Sequence, residues 1–125
     1  MIIGVGTDLI VIERVEKACQ RESFLRKVYT ENERREAADN IRRLAGDFAV
    51  KEAVSKALGT GFSGCSPIDI EVLRDTLGKP YVRLYGGADS KAREIGADAL
   101  FVSISDTKEY VIAFAVAENT AGGKE

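Results

Sequence analysis

Glu52 falls near the middle of the longest helical pattern in this 125-residue chain, IRRLAGDFAVKEAVSKALG from Ile41 to Gly59. At about 100° per residue, Ile41, Leu44, Ala45 and Phe48 share one face, and Glu52 continues it, flanked by Ser55 and Lys56. Val50, Ala53, Val54 and Ala57 make the other side apolar too. A helix that is apolar nearly all round is a buried one, so this carboxylate is expected to lose water and to need a counter-charge or a metal. Two readings stand open. One is an intrahelical Glu52–Lys56 pair at i, i+4, worth about 0.2–0.5 kcal/mol when exposed. The other is a Mg²⁺ site completed by a second carboxylate, for which Asp8, ending a glycine-flanked strand, is the natural candidate. Two unit charges about 4 Å apart repel by ~4 kcal/mol at an effective dielectric of ~20. Such a pair calls for a cation between its members. Mg²⁺ takes one or two carboxylates and leaves its other positions to phosphate oxygens and water.

Other polar groups give weaker signals. Lys51 and Lys56 are candidates to meet phosphate, although a lone helical lysine is ordinarily solvated. Gly59-Thr60-Gly61 reads either as a helix stop or as a phosphate cradle. GVGTD lacks the GxGxxG spacing, and GTGFSG lacks the Lys-Ser/Thr of a P-loop. Arg14, Lys17 and Arg21, spaced three and four apart, share one face of an early helix; they read as a solvated face or as a dock for an acidic partner. Ser103 and Ser105 sit on an expected strand with no base beside them. Histidine is absent altogether, which excludes Ser-His-Asp, Cys-His and histidine-metal chemistry.

The elements that must position these groups follow from periodicity. Ile2 to Asp8 alternates β-branched residues with glycine and reads as a strand, with Gly4 and Gly6 on the face shared with Asp8, where another backbone or a ligand can approach closely. A helix is expected from about Val11 to Gln20. Thr30-Glu31-Asn32-Glu33 is a capping box, so a second helix starts there. Ile68–Arg74 and Tyr81–Leu84 flank the turn Asp75–Pro80 and form a hairpin. Asp89 is expected to cap a short helix through Ile95, and Leu100–Ser105 with Tyr110–Ala117 form a second hairpin. The class is α+β, an antiparallel sheet packed against a long central helix and shorter helices, in one domain over residues 1–119, with residues 120–125 as a tail expected to fray.

Composition bounds the rest. At 45% hydrophobic residues the chain can build a core, and its small size leaves apolar surface that invites subunit association. A net charge of −2 offers no overall basic field for nucleic acid or membrane. Cys19 and Cys65 stand far apart outside any CxxC spacing and read as reduced thiols of a cytoplasmic protein.

Taken in order, GVGTDLI at Gly4 to Ile10, LAGDFAVKEAVSKALGTG at Leu44 to Gly61, DIEVLRDTLGKPYV at Asp69 to Val82 and VSISDTKEYVIAFAV at Val102 to Val116 resemble the holo-[acyl-carrier-protein] synthases. The resemblance runs over almost the whole chain. It implies transfer of 4′-phosphopantetheine from coenzyme A to a serine of an apo acyl carrier protein, in fatty acid biosynthesis, with adenosine 3′,5′-bisphosphate as the other product. It further implies Mg²⁺ on Asp8 and Glu52, catalysis by Glu52 and Lys56, and contacts to coenzyme A from Lys51, Ser55, Lys56, Gly59, Lys79 and Ser105. Carrier docking falls on Arg14 and Arg21, and the assembly is a homotrimer with active sites between subunits. Glu52 and a metal-bound water both remain candidates to take the serine proton. Phe101 and Asp106 stand where the family commonly carries histidines; Asp106 either sets a negative charge near phosphate or pairs with Lys108 or caps its turn. These two positions motivate the alternative of a catalytically silent carrier-binding module with the same fold; a plain coenzyme A or nucleotide hydrolase is a third reading.

Overall fold

Glycine alternates with larger residues along the first strand, and that alternation governs how the chain packs. The computed structural model describes residues 1–121. In order come β1 (Ile2–Val11), α1 (Ile12–Ala18), α2 (Glu22–Val28), α3 (Glu31–Ala37) and α4 (Ile41–Ala57). After two short 3₁₀ turns follow β2 (Ile70–Arg74), β3 (Pro80–Leu84), α5 (Gly86–Ile95), β4 (Ala99–Asp106) and β5 (Tyr110–Glu118). β1, β5 and β4 form an antiparallel sheet with β5 in the centre, and β2 and β3 a separate hairpin. The α4 helix lies against the inner face of the three-stranded sheet and also meets α1, α3 and β2.

Gly4, Gly6 and Asp8 lie on the side of β1 that faces α4, and no side chain separates the two backbones. A Cβ on Gly6 would stand 1.9 Å from the Ala53 carbonyl oxygen, and one on Gly4 2.1 Å from that of Ala57. The strand runs three residues beyond Asp8, straight into α1, so Asp8 lies within the strand rather than at its end. Val111, Ala113, Ala115 and Ala117 of β5 complete the inner face. The alanines, like the glycines, let α4 settle close to the sheet.

The expected helix starts and stops fall mostly where the local chemistry puts them. Thr30 and Glu33 form both halves of the capping box. Asn40 caps α4 by accepting from the Arg43 amide, and Gly59 follows its end at φ +88°, a left-handed conformation that suits glycine. Two placements differ. The α5 helix begins at Gly86, and Asp89 lies inside it, paired with Arg93 at 3.0 Å. The early helix stops at Ala18, and Arg21 becomes the extended residue that precedes the unexpected α2. No side-chain cap marks the start of α2; it exists because Phe24 packs on Phe48 and Tyr29, with ring centroids 5.9 and 6.1 Å away. The tail is held at its first residue, where the amide and hydroxyl of Thr120 both donate to Asp98 at 2.9 Å; residues 122–125 lie outside the described part.

Lys51 joins three elements from inside. Fully buried, its ammonium donates to Glu33 at 2.9 Å and to the carbonyls of Pro67 and Ile70 at 3.0 and 2.7 Å. Burial pulls its pKa down, and the Glu33 carboxylate opposes that shift. Glu33 in turn accepts from the Thr30 and Val72 amides. Breaking such a buried pair from one side costs about 3–5 kcal/mol.

The contact between β1 and α4 admits no methyl group. Gly6→Ala should therefore destabilise the fold by about 3 kcal/mol, at the upper end for overpacking, because the obstacle is backbone and not a mobile side chain. A urea titration reads it; an unchanged midpoint would show that the two backbones are not in contact.

Candidate active site

Asp8 and Glu52 come from the two elements that glycine brings together. Asp8 is 11% exposed, and its Oδ1 accepts from the Lys56 ammonium at 3.2 Å. Lys56 also donates to the Thr7 carbonyl at 3.0 Å. The second oxygen of Asp8, Oδ2, is buried with no hydrogen-bond donor against it. The Glu52 carboxyl lies beside the Asp8 side chain, and two ionised carboxylates offer each other only acceptors. Glu52 is accordingly pushed up to about 7, first by burial, then by hydrogen bonding to Asp8 and by its charge, with Lys56 pulling the other way. A proton is one way to relieve that repulsion and a divalent cation is another. An orphaned buried oxygen beside a second carboxylate is a hard-oxygen donor set that suits Mg²⁺.

The pair opens into a cavity of about 330 Å³ lined by Asp8, Leu9, Ile10, Val11, Arg14, Val15, Ala18, Phe48 and Glu52. Its walls are mixed, with the apolar side chains of Leu9, Ile10, Val11, Val15, Ala18 and Phe48 beside the three charged groups. Arg14 belongs to this cavity as much as to the exposed face of α1. The residue pattern offers Arg14 as part of a solvated face or of a dock, and the resemblance implies docking; its spacing from Val11, Val15 and Ala18 carries the further information that it flanks the apolar stripe.

Of the other residues singled out, several lie elsewhere. Lys51, expected to meet phosphate, spends its three donors inside the protein and cannot. Ser55, expected to touch coenzyme A, is buried and turns its hydroxyl back to the Glu52 carbonyl at 2.7 Å, so in the isolated chain it faces no ligand. Gly59 is exposed past the end of α4, roughly 10 Å along the axis from Glu52. Lys79 is exposed in the β2–β3 turn, where its amide donates to Asp75. Ser105 is exposed on the outer face of β4, across the sheet from Asp8. None of these three lines the Asp8–Glu52 cavity. Arg21 is exposed, but on a different element from Arg14, so the two do not form the single helical face that their spacing suggested.

Asp106 neither pairs with Lys108 nor caps its turn. Its carboxylate accepts from Arg42 of α4 at 3.2 Å, and the same guanidinium donates to the Thr107 carbonyl. The turn is held instead by the Thr107 hydroxyl, which accepts from the Glu109 and Tyr110 amides. The negative charge of Asp106 is thus compensated within the chain. Arg42 was not anticipated, since its partner is 64 residues away.

The chain is similar to known proteins over almost its whole length. A holo-[acyl-carrier-protein] synthase of Lachnoclostridium phytofermentans is 54% identical over 118 residues, covering 94% of this chain and 97% of that one. The solved synthase of Neisseria meningitidis superposes with a TM-score of 0.86 at 34% identity, covering 94% of this chain and 99% of the other. That of Bacillus anthracis, solved in complex with CoA (3′,5′-ADP), superposes at 0.81 with 36% identity, covering 96% and 99%. Residues 4–115, which hold both acids, Arg14, Lys56 and the whole of α4, match the family model of the 4′-phosphopantetheinyl transferase superfamily, and the chain belongs to that family.

Proposed function

We infer that this chain is a holo-[acyl-carrier-protein] synthase. It transfers 4′-phosphopantetheine from coenzyme A to a serine of an apo acyl carrier protein and releases adenosine 3′,5′-bisphosphate. The observation that carries the reading is the meeting of Asp8 and Glu52 in one partly apolar cavity, with a buried carboxylate oxygen left without a donor. Asp8 and Glu52 would hold Mg²⁺, which when bound neutralises charge on the pyrophosphate of coenzyme A. Lys56 supplies a further positive charge for the phosphate oxygens. The serine hydroxyl gives up its proton as its oxygen attacks phosphorus in line with the departing bisphosphate, with Glu52 and a water molecule as the two candidate acceptors. The carboxylate pair is intact and Asp106 is paired, so a silent carrier-binding module is not favoured.

The homotrimer expected from the resemblance also has support. Val5, Leu9, Phe101, Tyr110, Ile112 and Phe114 form an uncovered apolar outer face on the three-stranded sheet. A face of this kind on a small chain calls for a partner surface. Leu9 lies both on this face and in the carboxylate cavity, so a neighbour covering the sheet would also wall the site. Ser105 is on the same outer face, which gives it a route to a site between subunits that it lacks within one chain. The unpaired thiols Cys19 and Cys65, together with coenzyme A as substrate, fit the cytoplasm.

Mass spectrometry of an apo carrier protein incubated with coenzyme A and Mg²⁺ should show the addition of a phosphopantetheine group. Glu52→Gln should lower kcat by at least about a hundredfold and weaken metal binding; full activity would remove both roles. Release of bisphosphate without a carrier would mark a hydrolase instead.

Arg14→Glu should raise KM for the carrier and make residual binding less sensitive to salt. An unchanged salt dependence would take Arg14 out of the docking surface. Phe114→Glu, at the centre of the outer face, should give a monomer by sedimentation with a large loss of activity, whereas a monomeric parent protein would refute the trimer.

A further inference from the structure

Among the described residues, Lys56 is the one cation bonded to the carboxylate pair. Its ammonium bridges β1 and α4, on Asp8 Oδ1 at 3.2 Å and the Thr7 carbonyl at 3.0 Å. Asp8 is nearly buried, but the Lys56 side chain is 52% exposed. A compact charge on a flexible four-carbon stem, half in water, can leave without disturbing the fold. Arg14 lines the same cavity and makes no bond to either acid.

Resting on the reading of Asp8 and Glu52 as a divalent-cation site, we propose that Lys56 is an internal competitor for Asp8. Its ammonium and a divalent cation contend for one carboxylate, and the phosphates of coenzyme A settle the contest by drawing the ammonium to themselves. The physical ground is charge sharing. A carboxylate that serves an ammonium on Oδ1 is a poorer partner for a second cation on Oδ2, because two like charges then repel across one anion. Phosphate oxygens give the ammonium a second anion within reach of its stem. A divalent cation alone therefore binds against Lys56, and a cation together with coenzyme A binds with its help. Lys56 so couples metal to substrate: the competition disfavours metal without substrate and the release rewards both together, which is a reciprocal linkage between the two ligands.

Mn²⁺ alone, titrated by electron paramagnetic resonance into the full chain without coenzyme A or carrier, tests this. Lys56→Met should bind Mn²⁺ roughly three- to tenfold more tightly than the parent. Adding coenzyme A should then strengthen Mn²⁺ binding less in Lys56→Met than in the parent. Arg14→Met separates competition from a general field effect, and should change Mn²⁺ affinity by no more than about twofold. Equal or weaker Mn²⁺ binding in Lys56→Met, or equal tightening in Arg14→Met, would overturn the proposal. Asp8→Asn distinguishes this from failure of the underlying site. Loss of Mn²⁺ binding there upholds the carboxylate site whatever Lys56 does, while retained binding removes the site and the competition together.

Discussion

The backbone-to-backbone contact of β1 with α4 is the constraint on which the rest depends. With glycine at positions 4 and 6, the carbonyls of Ala53 and Ala57 sit where a Cβ would otherwise stand. The inward positions of β5 carry alanine and valine. At Gly4 and Gly6 the separation is already minimal, and so the next inward residue, Asp8, is pressed toward the helix face that carries Glu52. Packing thereby holds the two acids together, and when ionised they repel each other. The cost is visible in the buried oxygen without a donor and in a Glu52 carboxyl raised to about 7. Packing of this kind resists the repulsion because moving either acid away would open the helix–sheet core behind it.

Much of this was legible before any coordinates. Helical periodicity put Glu52 on an apolar face, and strand alternation put Gly4, Gly6 and Asp8 on one side, because both inferences need only local geometry. Lys51 was misread for the complementary reason. Adjacent helical residues point about 100° apart, so the neighbour of a site residue faces a different part of the protein. Whether that part is water or core depended on Glu33, 18 residues earlier, and on carbonyls at Pro67 and Ile70. No local pattern announces a lysine whose three hydrogen bonds all come from other elements. The α2 helix escaped similarly, since its start carries no capping side chain and its stability comes from Phe24 against Phe48 and Tyr29.

Asp106 and Arg42 illustrate how a departure in one motif can be absorbed elsewhere. An aspartate at the end of β4 would place unbalanced charge at the hairpin, but α4 brings a guanidinium that satisfies both it and the adjacent Thr107 carbonyl. The pair is roughly half exposed on both sides, so it contributes on the order of 1 kcal/mol or less. Its larger effect is geometric, because it ties the β4–β5 turn to the start of the helix that carries Glu52.

Within one chain the carboxylate pair sits in a cavity of about 330 Å³, and other polar groups singled out by the sequence lie on surfaces outside it. Asp8 and Leu9 are consecutive on an edge strand, so strand geometry sends the acid inward to α4 and the leucine outward. One residue step therefore separates the charged floor of the cavity from the uncovered apolar face. The groups that fail to reach the cavity, Ser105 on the outer face and Lys79 in the β2–β3 turn, are surplus to a one-chain site but accessible to an adjoining molecule. Among the described residues no second layer covers the outer side of the sheet, so Val5, Phe101, Ile112 and Phe114 stay exposed together with Leu9, which also walls the cavity.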